Sequence, residues 1–272
     1  MESREAMIQP VDVVRWRGPS RATDCDSIVI EEPLEIRVND RPLAVTMRTP
    51  GDDEALALGF LVSEGILTTA TQVFDVLRCA DPDHPDLRNI INVMVEPALA
   101  PPSSELNRQR YATSSCGLCG RATIESVRHC APPLPTPPHF DRGVLLTLPD
   151  RLRAGQSAFE RTGGLHAAGL FNKEGQLLHL AEDVGRHNAV DKVIGLALHN
   201  GPWPPDETIL MVSGRAGFEI VQKAAVARIP ALCSVSAPSS LAVELAREMN
   251  LVLAGFLRGD SMNLYAGAEF VM

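Results

Sequence analysis

Apolar and polar residues alternate along residues 27–38, and the apolar positions are Ile28, Ile30, Leu34, Ile36 and Val38. Such alternation is typical of a strand that buries one face. Turn-forming residues at 39–42 and apolar residues at 43–47 predict a second strand that returns beside the first. Residues 1–26 show a mixed pattern without a clear period, so we expect the start of the chain to be poorly ordered.

A helical pattern follows these two strands. Acidic residues at 52–54 open it, Leu56, Phe60 and Leu61 share one face, and Gly65 lies near its end. Acidic residues at a helix start and a glycine after its last turn are typical boundary signals. Residues 89–95 predict one further strand. The first part of the chain is therefore expected to be β-rich with one helix.

From residue 165 onward, short apolar strands alternate with longer amphipathic segments. Residues 165–181 predict a hairpin that turns at 172–175. The pattern beyond it predicts a helix at 188–199, a strand at 208–212, a helix at 216–228, a strand at 231–235, a helix at 239–249 and a strand at 251–257. This alternation indicates a layered α/β domain with a largely parallel part. The fold class is therefore α/β, or α+β over the whole chain.

Prolines and glycines concentrate between these two regions. Residues 97–140 include Pro101-Pro102 and a proline-rich run at 132–138, which predict irregular structure. We therefore divide the chain into three parts. They are an N-terminal β-rich domain at 1–112, a flexible loop and linker at 113–138, and an α/β domain at 139–272.

Composition and charge exclude several classes of protein. The chain has 272 residues, 45% of them hydrophobic, which suffices for one large core or two smaller ones. A net charge of −9 disfavours general nucleic-acid binding, because neutralising phosphates requires a basic surface. No apolar run approaches the ~20 residues of a membrane helix, and residues 1–10 lack the apolar region of a signal peptide. We expect a cytoplasmic protein with neither a nucleic-acid nor a membrane partner.

The most reactive chemistry of the chain lies in the predicted loop. Cys116 and Cys119 form a Cys-x-x-Cys pair that Gly117 and Gly120 accompany. One thiolate can reach the other sulfur at this spacing, which suits disulfide exchange, metal chelation or persulfide handling. Arginines at 108, 110 and 121 favour the thiolate form. An exposed, glycine-flanked pair suits a carrier that must meet two partners in turn.

Three other roles compete with that of a carrier. A structural zinc site needs two further ligands, and the adjacent His129 and Cys130 are the nearest candidates. A thioredoxin-like redox site should follow a strand and open a helix, whereas this pair lies among Gly, Ser and Pro residues. The pair could also be purely structural, as we expect for the scattered Cys79 and Cys233, which are typical of buried small hydrophobes.

A dense polar segment follows the predicted hairpin. Residues 182–192 include six titratable side chains, and His187 and Asp191 are spaced so that they can touch on a helix. A site that binds a ligand is one interpretation. A solvated helix start with ordinary capping by Asp183 is the other.

Two more segments lie where strands end. Ser213-Gly214-Arg215 stands between a strand and a helix, where N–H groups, the helix dipole and Arg215 favour an anion or simply cap the helix. Lys223, on the following helix, is a weaker candidate, because a helical lysine is usually solvated. Residues 256–263 follow a strand, at the end where open α/β sheets bind ligands, and Arg258 could pair with a phosphate.

Taken in order, five segments resemble the FdhD family of formate dehydrogenase accessory proteins. They are residues 115–120, 162–168, 182–192, 213–215 and 256–263. Each segment is modest alone, but the ordered set is highly specific, and the resemblance runs from about residue 31 to residue 272.

The resemblance implies a sulfurtransferase that carries persulfide sulfur. A cysteine desulfurase would load Cys116, Cys119 would assist, and the sulfur would pass to the molybdenum bis(molybdopterin guanine dinucleotide) cofactor before that cofactor enters formate dehydrogenase. The cofactor is then a bound substrate, and a guanine nucleotide such as GDP is expected to fit the same site. The residues expected to bind it are Gly214, Arg215, His187, Phe256, Leu257, Arg258, Gly259, Asp260 and Ser261. A homodimer is also implied.

The larger domain of that family resembles the cytidine deaminase fold. Deaminase chemistry is not expected here, because His166 is followed by Ala167-Ala168 and the Cys-x-x-Cys pair lies upstream of it. We therefore expect no metal ligands. Two alternatives remain open: a chaperone that binds the molybdenum cofactor without sulfur transfer, and a zinc-binding structural module.

Overall fold

A hairpin begins the described part of the chain. The computed structural model describes residues 7–79, 89–99, 111–112, 127 and 131–272. Strands β1 (Ile8–Arg17) and β2 (Ser20–Val29) pair antiparallel over their full length. The expectation of a poorly ordered start is therefore wrong for residues 7–26, while residues 1–6 lie outside the described residues. Most side chains of this hairpin are exposed, and alternate positions of β1 are only half-buried, so the one-sided burial that alternation detects is weak here.

A five-stranded sheet follows the hairpin. Its strands lie in the order β5-β6-β3-β4-β7. Their bounds are β3 (Glu32–Val38), β4 (Arg41–Arg48), β5 (Val73–Arg78), β6 (Ile90–Val95) and β7 (Tyr111–Ala112). Asn39 and Asp40 join β3 to β4 with positive φ values of 48° and 63°, as a type I′ hairpin turn requires. The predicted strands at 43–47 and 89–95 are confirmed. The predicted strand at 27–38 is confirmed only as β3, because its first residues belong to β2 of the preceding hairpin and residues 30–31 separate the two strands.

A six-stranded sheet forms the larger half of the molecule. Its order is β13-β12-β11-β10-β8-β9, with β10, β11 and β12 parallel and the remaining pairs antiparallel. Its strands are β8 (His166–Asn172), β9 (Leu177–Asp183), β10 (Thr208–Val212), β11 (Ala231–Ser234), β12 (Val252–Arg258) and β13 (Ser261–Ala266). The predicted hairpin and the partly parallel sheet are both confirmed.

Six α-helices lie within the described residues. They are α1 (Asp53–Ser63), α2 (Arg142–Gly155), α3 (Ser157–Thr162), α4 (Arg186–Asn200), α5 (Phe218–Val226) and α6 (Ser240–Glu248). Short 3₁₀ helices cover Ala70–Gln72, Pro97–Leu99 and Ala268–Phe270. Helices α1, α4, α5 and α6 match the sequence predictions to within a few residues. Among the described helices, none combines the length and apolar character needed to cross a bilayer.

Helix α2 was missed by the sequence analysis. Its N-cap is Asp141, whose carboxylate accepts a hydrogen bond from the Val144 amide at 2.8 Å. Leu145, Leu148 and Leu152 bury one face of the helix. Pro149 lies in its interior and masked the pattern, because an internal proline is normally taken as a helix break.

The helices and sheets stack in layers. One large hydrophobic cluster joins the five-stranded sheet to helices α1, α4, α5 and α6, and continues onto one face of the six-stranded sheet. A second cluster covers the other face of that sheet, where Ile209 and Met211 of β10 meet Leu148 and Leu152 of α2. The α/β class is therefore confirmed. The division into domains and the likeness to the cytidine deaminase fold stay predictions.

Two glycines bring the central helices together. An added Cβ on Gly59 of α1 would lie 1.8 Å from the Asp191 carbonyl oxygen, and one on Gly195 of α4 would lie 1.9 Å from that of Ala55. Side chains larger than hydrogen therefore cannot fit at either crossing point. This close approach fixes α1 against α4 and holds the N-terminal half of the chain on the six-stranded sheet.

Candidate functional site

Four of the five motif segments meet at one edge of the six-stranded sheet. Parallel strands β10, β11 and β12 end there, followed by Ser213, Val235 and the turn at Gly259. Because β8 runs antiparallel to β10, its first residue, His166, lies at the same edge and pairs with Asp183 at the end of β9. Ligands of open α/β sheets bind beyond the carboxyl ends of parallel strands. The fold therefore places these segments where a ligand site is expected.

A cleft of about 620 Å³ opens at this edge. This volume lies within the range of small-molecule sites. Side chains from α2, from α3 and from the strand ends line the cleft, among them Arg153, Phe159, His166, Ser213, Leu257 and Arg258. Gly259 also lines it. The structure thus brings Leu257, Arg258 and Gly259 together with His166, whose role the sequence left open.

Arg258 is held by the hairpin turn that joins β12 to β13. Its Nε donates to the carbonyl oxygen of Val235 at 3.3 Å, and its own carbonyl accepts from the Ser261 hydroxyl at 3.0 Å. Gly259 takes the left-handed conformation, with φ 56°. Arg142 donates to the Asp260 carbonyl at 3.3 Å. The guanidinium is exposed, so it remains available to a phosphate.

Phe256 occupies a strained position beside this turn. Its φ is 54°, a left-handed conformation that is rare for a bulky residue. The pairing register of β12 with β13 shifts between Gly255 and Arg258, which is a β-bulge. The ring is 39% exposed, and it does not line the cleft. Strain of this kind concentrates at functional sites, which fits a ring offered to a flat ligand.

Gly214 and Arg215 lie in the turn after β10. The Gly214 carbonyl accepts a 2.7 Å hydrogen bond from the Ser234 hydroxyl of the next strand. An added Cβ on Gly214 would lie 3.4 Å from His166 Nδ1, at ordinary van der Waals distance, so Gly214 lies directly beside the histidine. Arg215 is exposed and lies outside the cleft lining. Helix α5 begins three residues later, with Gly217 as its N-cap.

His166 is a half-buried imidazole inside the cleft. Burial lowers its pKa below 6.5, the charges of Arg186 and His187 lower it further, and Asp183 opposes them. The neutral form is therefore favoured at neutral pH. Ser213 anchors the start of the strand, because its hydroxyl accepts the Ala167 amide at 2.9 Å. A neutral imidazole in this position can donate one hydrogen bond and accept another.

The polar segment at 182–192 is mostly turned inward. Asp183 forms a 2.8 Å ion pair with Lys192, and both side chains are buried. The Asp183 carboxylate also accepts from the amides of Thr49 and Gly185. Asn188 bridges Asp183 to the Met47 carbonyl. These contacts tie strand β4 to helix α4, so the segment joins the two sheets.

The expected contact between His187 and Asp191 is wrong. Asp191 instead accepts from Ser63 at 2.7 Å and pairs with Lys223 at 2.8 Å. His187 is buried, and its Nε2 lies 3.1 Å from a Glu219 carboxylate oxygen, outside hydrogen-bond geometry. Side chains four residues apart on a helix can touch, but here the buried partners of α1 and α5 compete successfully for Asp191.

Buried ion pairs are the feature that sequence reasoning missed. Lys223 was expected to be solvated, yet it is buried against Asp191. Arg48 forms two hydrogen bonds to Asp53, at 2.8 and 2.9 Å, and both residues are buried. A buried charge is costly unless it is paired. Lys223 follows its partner by 32 residues, so no local pattern in the chain reveals the pairing.

The cysteines divide between described and undescribed parts of the chain. Cys116, Cys119 and Cys130 lie outside the described residues, as does most of the loop at 113–138. Cys233 is buried on β11 as expected, and burial raises the pKa of its thiol to about 12, whereas Cys79 is only partly buried. Cys25 is exposed on the hairpin. Within the described ranges, no group of three or more potential ligands could hold a metal ion.

Comparisons with known proteins agree with one another. The model of the FdhD/NarQ family matches residues 29–272. A sulfur carrier protein FdhD from Streptomyces avermitilis is 54% identical over 264 residues, which are 94% of this chain and 92% of that protein. A sulfur carrier protein FdhD from Mycobacterium tuberculosis is 46% identical over 251 residues, 90% of this chain and 91% of that protein.

A solved structure shares the fold. It is the crystal structure described as that of a formate dehydrogenase accessory protein from Desulfotalea psychrophila. The TM-score is 0.76 at 24% identity, over 98% of this chain and all of the other. At this identity the likeness supports the mixed α/β architecture alone.

Proposed function

The chain belongs to the FdhD/NarQ family, and from that membership we propose that it is a sulfur carrier for formate dehydrogenase. The observation that carries the proposal is the Cys-x-x-Cys pair at 116–119 in a chain whose other four motif segments meet at one sheet edge, where three of them line a ligand-sized cleft. Relatives named as sulfur carriers match almost the whole chain. A cytoplasmic location is part of the proposal, because free thiols persist in a reducing compartment.

The first step loads the carrier. The Cys116 thiolate attacks the outer sulfur of a persulfide on a cysteine desulfurase. The sulfur–sulfur bond of the donor breaks, a new one forms on Cys116, and the donor cysteine leaves as a thiolate. This is a thiol–disulfide type exchange without net oxidation, and it requires only that Cys116 be deprotonated and accessible.

The second step releases the sulfur with Cys119 as the resolving residue. The Cys119 thiolate attacks the inner sulfur of the Cys116 persulfide, a Cys116–Cys119 disulfide forms, and the outer sulfur leaves as hydrosulfide. That sulfur carries two more electrons than it had in the persulfide, and the cysteine pair supplies them. A thiol reductant then restores both cysteines. The acceptor is the molybdenum bis(molybdopterin guanine dinucleotide) cofactor, which is the substrate of this step.

The cleft would hold a guanine nucleotide arm of that substrate. Arg258 and Arg153 contribute positive charge to it, and neutral His166 can exchange hydrogen bonds with a polar group. The exposed Phe256 ring offers a stacking surface next to the same turn. Gly214 and Arg215 lie outside the cleft lining at the same sheet edge, where a second anionic group could reach them. His187 would act by supporting this edge, since its Nε2 is buried.

Intact-mass measurement after incubation with an active desulfurase and cysteine tests the proposal. Wild-type protein should gain the mass of one sulfur atom, Cys116→Ala should gain none, and Cys119→Ala should keep the sulfur longer under thiol reductant. Cys25→Ala is the matched control, because Cys25 is an exposed thiol outside the pair. Sulfur that persists in Cys116→Ala and disappears in Cys25→Ala would contradict the assignment.

A cofactor-binding chaperone without sulfur transfer is the second candidate. It is favoured by the cleft itself, since the described lining contains no cysteine. Such a protein would need Arg258 and not Cys116. Formate dehydrogenase activity that survives in cells carrying Cys116→Ala, and is lost with Arg258→Ala, would decide for the chaperone.

A further inference from the structure

Gln156 joins α2 to α3 and carries a polar side chain that the fold does not use. The residue is only 5% exposed, and it lines the sheet-edge cleft. Its backbone N–H donates to Arg153 and its backbone carbonyl accepts from Glu160. Its carboxamide does not cap α3 and forms no hydrogen bond with any described residue. A buried amide without a partner is costly, so it favours a ligand that forms hydrogen bonds to it from the cleft.

Arg153 lies one turn before Gln156 and presents a flat surface to the same cleft. Its Cζ atom lies 4.5 Å from the centroid of the Phe159 ring, over the ring, and both side chains line the cleft. The ring covers one side of the guanidinium, and Arg153 is otherwise exposed. Guanidinium planes stack on nucleobases as well as on aromatic rings. The end of α2 therefore provides a platform on which a base can stack.

Asp150 places a negative charge beside this platform. It lies one turn before Arg153 on α2, lines the cleft and is exposed. Among the described residues, its carboxylate has neither a hydrogen bond nor an ion pair. A carboxylate repels phosphate, so its presence in the cleft is unfavourable for a ligand that is only an anion. It instead fits a ligand that carries N–H donors at a distance from its phosphates.

We propose that the end of α2 binds the purine base of the nucleotide arm, and that Asp150 selects guanine over adenine with the help of Gln156. This inference rests on the proposed function, in which the cleft holds that arm. Arg258 would meet the phosphates at the strand edge while the base stacks on Arg153. Asp150 and Gln156 are six residues apart, which is ~9 Å along a helix axis, so they flank the stacked base.

The selection follows from what each side chain can donate or accept. Guanine offers the N1–H and 2-amino donors beside the O6 acceptor, whereas adenine offers a 6-amino donor beside an N1 acceptor. A carboxylate only accepts, so Asp150 bonds to the guanine donors and is repelled by the N1 lone pair of adenine. A carboxamide both donates and accepts. Gln156 therefore bonds to O6 of guanine or, turned over, to the amino group of adenine, and it adds affinity for either base.

Titration calorimetry of the full chain with GDP, IDP and ADP tests the role of Asp150. GDP and IDP differ only in the 2-amino group, which IDP lacks. Wild type should bind GDP more tightly than IDP and at least ~10-fold more tightly than ADP. Asp150→Ala should bind GDP and IDP almost equally and should bind ADP no more weakly than wild type does. Alanine suits an exposed helical position, so the unfolding midpoint should not fall.

Gln156→Met tests the carboxamide with a side chain of similar size. The affinities for GDP and ADP should both fall by about tenfold. Because the amide has no partner among the described residues, its removal should not lower the unfolding midpoint. A purely structural glutamine would give the opposite result, with a lower midpoint and unchanged affinities, and would overturn the role of Gln156.

Glu160→Ala is the matched control for charge. Glu160 is an exposed carboxylate next to Phe159 and lies outside the cleft lining, so its removal should leave the ratio of GDP to ADP affinity unchanged. If Asp150→Ala also keeps the wild-type ratio while Arg258→Ala still weakens GDP, the base subsite is wrong and the proposed function stands. If wild type binds none of the three nucleotides at millimolar concentration, the nucleotide role of the cleft is wrong as well. Sulfur loading of Cys116, read by mass, is independent of both results.

Discussion

Similar polar residues have different roles in two regions of the molecule, the contact between the two sheets and the cleft at the sheet edge. Between the sheets, Asp183, Lys192, Asp191 and Lys223 are buried and paired. At the edge, Arg258 is exposed, His166 is half-buried and Phe256 is strained. A dense run of polar residues in the sequence therefore indicates buried ion pairs as readily as it indicates a ligand-binding site. The two can be separated by asking whether a substitution alters folding or binding.

Removal of Asp183 should have the largest effect on stability. Asp183→Ala leaves the Lys192 ammonium buried with only the carbonyl oxygens of Thr49 and Glu182. Breaking a buried pair by removing one partner costs about 3–5 kcal/mol. Chemical denaturation monitored by circular dichroism should show this loss. Glu207→Ala, which removes the exposed partner of Lys173, is the control and should change little. Equal losses in the two variants would remove the distinction between buried and surface pairs.

Gly195→Ala should destabilise the chain at the helix crossing. The new Cβ would meet the Ala55 carbonyl at 1.9 Å, and this backbone atom cannot move aside without separating α1 from α4. Overpacking of this kind costs about 1–3 kcal/mol. At the sheet edge, Gly217→Ala would meet only a Glu219 carboxylate oxygen, 4.0 Å away, and should be tolerated better. If the midpoint of thermal unfolding were lower for Gly217→Ala than for Gly195→Ala, the close approach of the two helices would not limit stability.

Arg258→Ala should break binding and leave folding intact. Hydrogen bonds to charged groups contribute about 1.5–3 kcal/mol, so affinity for GDP should fall ~10–100-fold by titration calorimetry. Its only described side-chain contact within the protein is the 3.3 Å hydrogen bond to Val235, so the unfolding midpoint should stay nearly unchanged. Arg215 lies outside the cleft lining, so Arg215→Ala should weaken the binding of GDP less. Unchanged affinity in Arg258→Ala would remove this residue from the site.

Periodicity predicted most of the fold because burial acts on one face of each element. Strand β10 matched its predicted bounds at 208–212, and α6 differed by one residue at each end. Helix α2 was not predicted because Pro149 interrupts the helical pattern that its three buried leucines form. The β1–β2 hairpin was not predicted because both of its faces are largely exposed.

The candidate site was predictable in part, for a different reason. The ends of parallel strands share one edge, so Ser213 and Arg258 could be brought together by topology alone. The pairing of Lys223 with Asp191 depends on how α5 packs against α4, and the contribution of α2 to the cleft depends on a helix that was missed. Long-range packing of this kind leaves no local trace in a single sequence.

The smallest expected effect is a pH dependence at His166. Its pKa is lowered by burial and by Arg186 and His187, so the unfolded chain binds more protons than the native protein between that lowered value and 6.5. The contribution of His166 to the free energy of unfolding is therefore fully present above pH 6.5. It is lost as the pH falls from 6.5 through the lowered pKa. His166→Asn should lack this loss, so the stability of wild type relative to the variant should decline below pH 6.5. His179 lies in the middle of β9 and its pKa is lowered by burial alone, so His179→Asn should show the same sign without altering the pH dependence of GDP binding. The difference in the free energy of unfolding between wild type and His166→Asn should therefore change with pH. If this difference stays constant from about pH 5 to 8, the cleft does not favour the neutral imidazole. The hydrogen-bonding role given to His166 would then be wrong.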